Sequence, residues 1–169
     1  MGSLLKGVSD DASFAMSRNS FMVKVPFGNG ERVLKTLLID GRFPDIDRVM
    51  PKQSYQKISL GREELAVACR RAAILANEKS MGVKFTFKDQ VLSIESSNPE
   101  QESSHEFVDI KGAPAEELSI GFNVGFIIAV TNTHFSDDVV FSLMTENTSV
   151  VITSVDQPEL ISVVMPMRI

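Results

Sequence analysis

Ser59-Leu60-Gly61-Arg62-Glu63-Glu64-Leu65 and, further on, Ser119-Ile120-Gly121-Phe122-Asn123-Val124 decide the fold, because the second stretch restarts the pattern that the first begins. In each, a short strand runs through Ser-(Leu/Ile)-Gly straight into a helix. From Gly61 to Lys79 the apolar residues Leu65, Cys69, Ala72 and Ala76 recur at helical spacing and form one stripe. Glu63 and Glu64 fall in the first turn and Lys79 in the last, as the helix dipole favours. The second helix starts at Asn123, a residue type suited to capping, and runs to about Thr133 with Val124, Ile127, Ile128 and Thr131 turned inward.

Three strands follow each helix. After the first come Val83–Phe87, Val91–Glu95 and His105–Ile110; after the second come Val139–Met144, Ser149–Ser154 and Ile161–Met167. A repeated strand, helix and three strands predicts an α+β domain, with two helices on one face of antiparallel sheet. The strand Tyr55–Leu60 opens it. Working outward, Met50-Pro51-Lys52-Gln53-Ser54 reads as a linker, since proline stops regular structure and polar residues follow. Residues 51–169 thus form one complete domain.

Residues 1–50 carry a different signal. Ser13–Ser17, Phe21–Val25 and Val33–Ile39 read as strands, with a turn at Phe27-Gly28-Asn29-Gly30 and a loop opening at Asp40-Gly41. Leu4-Leu5-Lys6-Gly7 resembles the last turn of a helix closed by glycine. Three strands without a helix make a poor independent domain, so this part is expected to be the back half of one.

Composition narrows the function. The chain has 169 residues, 43% hydrophobic and 23% charged, which suits a packed globular protein. Its longest apolar run, Ile120–Val130, is interrupted by Gly121, Asn123 and Gly125 and falls short of the ~20 residues that span a bilayer. The start, Met1 to Gly7, lacks the apolar stretch of a secretory signal. A lone cysteine, Cys69, excludes an internal disulfide and a cysteine-rich zinc site, and suits a cytoplasmic setting. The net charge of −5 argues against coating nucleic acid by bulk attraction, though not against a local basic face.

No catalytic constellation stands out, and no cofactor or metal is expected. His105 and His134 have no third ligand at zinc-like spacing. Asp137-Asp138 reads as a solvated turn, and Cys69 as a small buried hydrophobe on the helix stripe. Arg62, Arg70, Arg71 and Lys79 lie on the first helix away from its stripe. They read either as a solvated face or as a surface turned toward phosphates, whose contacts carry no base information. Ile74 and Leu75 also lie off the stripe, as extra core or as half of a protein interface. The end of the chain, Val163-Val164-Met165-Pro166-Met167-Arg168-Ile169, is apolar almost to its last residue and reads as a paired strand or part of a groove, its two methionines suited to an adaptable surface.

Five segments, in order, resemble the bacterial DNA sliding clamp, the beta subunit of DNA polymerase III. They are Gly41–Pro51 (GRFPDIDRVMP), Arg71–Lys79 (RAAILANEK), Ser97–Glu102 (SNPEQE), Ile120–Val124 (IGFNV) and Val163–Arg168 (VVMPMR). The resemblance implies a three-domain protein that closes head to tail into a dimeric ring around duplex DNA, with no catalytic activity. This chain would hold the end of the middle domain and the whole last domain, and the fragment alone would not be expected to form the native ring. The resemblance further implies a pocket for linear peptides of polymerase, clamp-loader and repair proteins. Its matching residues are Pro44, Arg48, Val49, Asn123, Phe126, Val163, Val164, Met165, Pro166, Met167 and Arg168. Phe126 stands where tyrosine is common, and Asp47 where a second basic residue is frequent. Ile74 and Leu75 would belong to the dimer contact, and Arg62, Arg70, Arg71 and Lys79 would face DNA. Two other readings are an isolated peptide-binding module without a DNA role, and a metal-dependent hydrolase using His134, Asp137 and Asp138, which chelation would silence.

Overall fold

A computed structural model describes residues 11–41, 45, 50, 56–112 and 114–169. The chain divides into two compact units, Met1–Pro44 and Asp45–Ile169. The expected helix end at Leu4–Gly7, and Tyr55 and most of the expected Met50–Ser54 linker, lie outside the described residues.

In the first unit, β1 (Ser13–Met16), β2 (Ser20–Phe27) and β3 (Gly30–Leu37) form an antiparallel sheet in that order. Phe27 pairs with Gly30, so Gly28 and Asn29 make a two-residue loop. Gly28 takes φ +58° at the first loop position, where a II′ hairpin places glycine because a side chain is strained there. Val23 and Val25 are buried, yet Phe14, Met16 and Leu37 are mostly exposed.

The second unit contains β4 (Gln56–Gly61), α1 (Arg62–Ile74), β5 (Gly82–Lys88), β6 (Val91–Ser97), β7 (Ser103–Lys111), β8 (Leu118–Asn123), α2 (Val124–Thr133), β9 (Asp138–Leu143), β10 (Val150–Ser154) and β11 (Ser162–Val164). Its eight strands run in the order β11-β10-β9-β4-β7-β6-β5-β8. The two halves of the repeat exchange strands: β4 pairs with β9 of the second half, and β8 with β5 of the first. Among the described residues, two pairs, Ser59 with Lys111 and Leu60 with Ile110, join β4 to β7 at the centre.

Alternation along these strands builds the core. Val83, Phe85 and Phe87 of β5, Leu92 and Ile94 of β6, Ile120 and Phe122 of β8, and Val139, Phe141 and Leu143 of β9 are buried toward the helices. Phe85 meets Phe122 edge-on, ring centroids 5.2 Å apart. The stripe Leu65, Cys69, Ala72 and Ala76 is buried as its spacing requires, and the small residues Ala68 and Ala72 let α1 lie close to its neighbours. Ser96 Oγ donates to the Ala72 carbonyl at 2.8 Å and ties β6 to α1.

Two elements end three or more residues earlier than the sequence suggests. Helix α1 stops at Ile74 rather than Lys79, with Leu75 already outside helical geometry at ψ 7°. The cause is Asn77, whose Oδ1 accepts hydrogen bonds from the backbone N–H groups of Lys79 (3.0 Å) and Ser80 (3.1 Å), an Asx turn competing with the helix. Met81 follows at φ +51°. Lys79 therefore leaves the helix. Strand β11 ends at Val164 rather than Met167, because Pro166 has no N–H to give to a ladder.

Candidate functional site

Among the described residues, the terminal segment and the start of α2 bring several expected docking residues into one half of the fold. Asn123 caps α2, its Oδ1 accepting from Gly125 N–H at 2.9 Å, while its Nδ2 donates to the Ser80 carbonyl at 3.0 Å. One side chain thus fixes both the helix start and the turn before β5. Phe126, one turn into α2, is 62% exposed. Val163 and Val164 pair with Val151 and Val150 of β10, and Val164 is buried. Beyond them Met165 is 59% exposed, and Met167 N–H donates to the Gly121 carbonyl at 2.8 Å, laying the last residues along β8. Grooves of about 290 and 510 Å3 flank this segment, and Lys84, Met167, Arg168 and Ile169 line both. Pro44, Arg48 and Val49 lie outside the described residues.

His134 holds the same region from behind. It sits at the end of α2, fully buried, with Nδ1 3.2 Å from Ser154 Oγ of β10 and Nε2 3.1 Å from Ser162 Oγ of β11. Burial lowers its pKa from the ordinary imidazole value, so the neutral ring is the folded form. Only the fold places a serine at each ring nitrogen.

The basic residues of α1 do not act alike. Arg62 Nε donates to the Ser136 carbonyl at 2.9 Å and Nη1 to the Thr131 carbonyl at 3.2 Å, closing the free carbonyl end of α2. Two of its guanidinium donors are thus bonded within the fold. Arg70 lies 3.6 Å from Glu63, and Arg71 3.2 Å from Glu106. Both are surface pairs that leave the cations open to solvent. Ile74 is 78% exposed and Leu75 is half-buried, so Ile74 contributes little to the core. Phe107, on β7, is exposed too.

Burial pushes the Cys69 thiol up to about 12, far from a nucleophile. Asp138 accepts from Lys111 Nζ at 2.7 Å. Among the described residues no group of three His, Cys, Asp or Glu side chains is placed to hold a metal ion, and no helix is long and apolar enough to cross a membrane.

The duplicated α+β unit with its exchanged strands is the DNA-clamp fold. It superposes on a sliding clamp from Pseudomonas aeruginosa with a TM-score of 0.79 and 30% identity, covering 99% of this chain and 45% of that one. The clamp of C. crescentus gives the same TM-score at 24% identity and shows the fold alone. In sequence, the chain is 42% identical to the beta sliding clamp of Vibrio cholerae over 137 residues, and 39% identical to that of Escherichia coli over 140 residues. These alignments cover 81% and 83% of this chain but 37% and 38% of those proteins. The family profile of the C-terminal domain of the DNA polymerase III beta subunit matches residues 47–168, and the chain belongs to that family.

Proposed function

We propose that this chain supplies the last domain, and the end of the middle domain, of a DNA replication processivity factor: a ring around duplex DNA that docks linear peptides and catalyses nothing itself. The observation that carries the docking reading is the apolar end of the chain. Met165 and Phe126 stay exposed on elements that β10, Asn123 and His134 hold in place. A surface that is fixed in backbone and soft in side chain suits partners with different hydrophobic anchors. Pro44, Arg48 and Val49 join this site on the resemblance alone. Residues 1–50 are read as the end of a middle domain, a reading supported by the bare apolar side chains Phe14, Met16 and Leu37.

Arg62, Arg70, Arg71 and Lys79 are the residues assigned to phosphates, Arg62 with two of its donors already given to backbone carbonyls. A few weak cations within an acidic chain suit a ring that must slide, because affinity grows with each phosphate neutralised. Ile74 and Leu75 are assigned to the contact between subunits. The chain spans 37–38% of the relatives it matches, so by itself it is not expected to retain circular DNA.

The test is Met165→Ala, with folding checked by thermal melt. Loss of an interface anchor costs at least about 1–2 kcal/mol, so affinity for a labelled peptide carrying glutamine, then leucine and phenylalanine anchors, should fall roughly five- to thirty-fold. A folded variant that binds this peptide as tightly as the parent removes the docking site from the terminus. Peptide binding by the chain, joined to a full-length clamp that fails to stay on nicked circular DNA, would favour a peptide-binding module instead.

A further inference from the structure

The grooves around the terminal segment exist because the chain lies unusually close to β8. A Cβ built at Gly121 would overlap the Met167 carbonyl oxygen and stand 2.6 and 2.7 Å from the Ile169 side chain. Gly121 has no unusual backbone angle; closeness alone demands a glycine there. The neighbouring Gly82 is different. A Cβ at that position meets Ser80 Oγ at 3.4 Å and the tip of Met167, with Cε at 3.5 Å and Sδ at 3.8 Å, ordinary contacts with the ends of side chains.

The repeat explains why this spot matters. In the first half, β4 carries Ser59-Leu60-Gly61 and is met by β7 through two ladder pairs. In the second half, Ser119-Ile120-Gly121 of β8 is met by the terminal segment through one backbone hydrogen bond, Met167 N–H to the Gly121 carbonyl. The same closure is thus made more weakly, at the edge of the sheet and by the end of the chain. Beyond Val164 no ladder pair supports the segment.

We infer that Gly121 is a positioning residue: the bare backbone of β8 at Gly121 is a slot that sets where Met165–Ile169 lie, and so shapes the docking surface without touching a partner. This rests on the docking reading of the terminus, but the slot itself can be tested apart from it. A side chain at position 121 would lift Met167 and Ile169 from β8 and break the single hydrogen bond there. The core should be indifferent, because Gly121 lies on the sheet face opposite the buried Ile120 and Phe122.

The test compares the parent chain with Gly121→Ala and Gly82→Ala by amide hydrogen exchange, thermal melt and anisotropy of the glutamine–leucine–phenylalanine peptide. The expected result for Gly121→Ala is loss of protection at the Met167 amide by tenfold or more, a nearly unchanged melt, and at least tenfold weaker peptide binding. Gly82→Ala should match the parent in exchange and melt. If Gly121→Ala fails to fold, Met167→Pro removes the same donor without altering β8 and should speed carboxypeptidase trimming of Arg168 and Ile169 tenfold or more; an unchanged trimming rate overturns the slot. A protected Met167 amide in folded Gly121→Ala overturns the slot, as does a released tail with unchanged peptide affinity. A parent chain that ignores the peptide overturns the docking reading and with it the slot's share in docking; the exchange data then still decide whether Gly121 seats the tail.

Discussion

Replacing Arg62 with methionine separates a structural cation from a DNA-facing one. Methionine keeps most of the aliphatic stem and removes the guanidinium, which leaves the Ser136 and Thr131 carbonyls without their donors. The backbone bond from Arg62 N–H to the Asp137 carbonyl, 2.8 Å, is untouched. Hydrogen bonds to charged groups contribute about 1.5–3 kcal/mol each, and the partial exposure of this side chain discounts each to about 1–1.5 kcal/mol, so the pair is worth about 2–3 kcal/mol. For a chain of this size about 1 kcal/mol moves the midpoint by roughly 2–4 °C, so Arg62→Met should melt about 4–12 °C lower. Arg70→Ala and Arg71→Ala remove only surface pairs and should each change stability by less than about 1 kcal/mol. Circular dichroism melts of the three variants decide the matter. An Arg62→Met variant that melts with the parent refutes the argument, and would return Arg62 to the solvated face.

Three further outcomes follow from the same contacts. His134 has a lowered pKa in the fold, so the stability from its neutral ring is complete above the unfolded value of 6.5. It is lost as pH falls through 6.5 toward the folded value, and levels off below it. Urea midpoints should drop between pH 7 and pH 5 more steeply in the parent than in His134→Gln, and equal slopes would count against the buried neutral ring. Cys69 should resist a thiol reagent at pH 8 until the chain unfolds, since both burial and its raised pKa suppress the thiolate; rapid labelling of folded protein contradicts this. In a complete clamp carrying this last domain, Ile74→Ala with Leu75→Ala should weaken dimerisation by about 1–3 kcal/mol per residue while the domain still melts cooperatively, as measured by sedimentation. Unchanged dimer affinity would remove both from the subunit contact.

The sequence by itself determined the α+β class, because hydrophobic spacing is local: the stripe Leu65, Cys69, Ala72 and Ala76 and the alternation Val83, Phe85, Phe87 are legible without knowing any partner. It also marked the repeat, the cap at Asn123 and the apolar terminus. It misjudged where α1 ends, since helix spacing continues past Ile74 while the Asn77 side chain competes for the backbone. Other roles were beyond its reach. Arg62 and Thr131, His134 and Ser162, and Gly121 and Met167 are far apart in the chain and meet only when it folds back on itself. A cation on a helix face looks the same in sequence whether it meets a carbonyl or water. Which it meets depends on long-range contacts, and only the tertiary structure decides those.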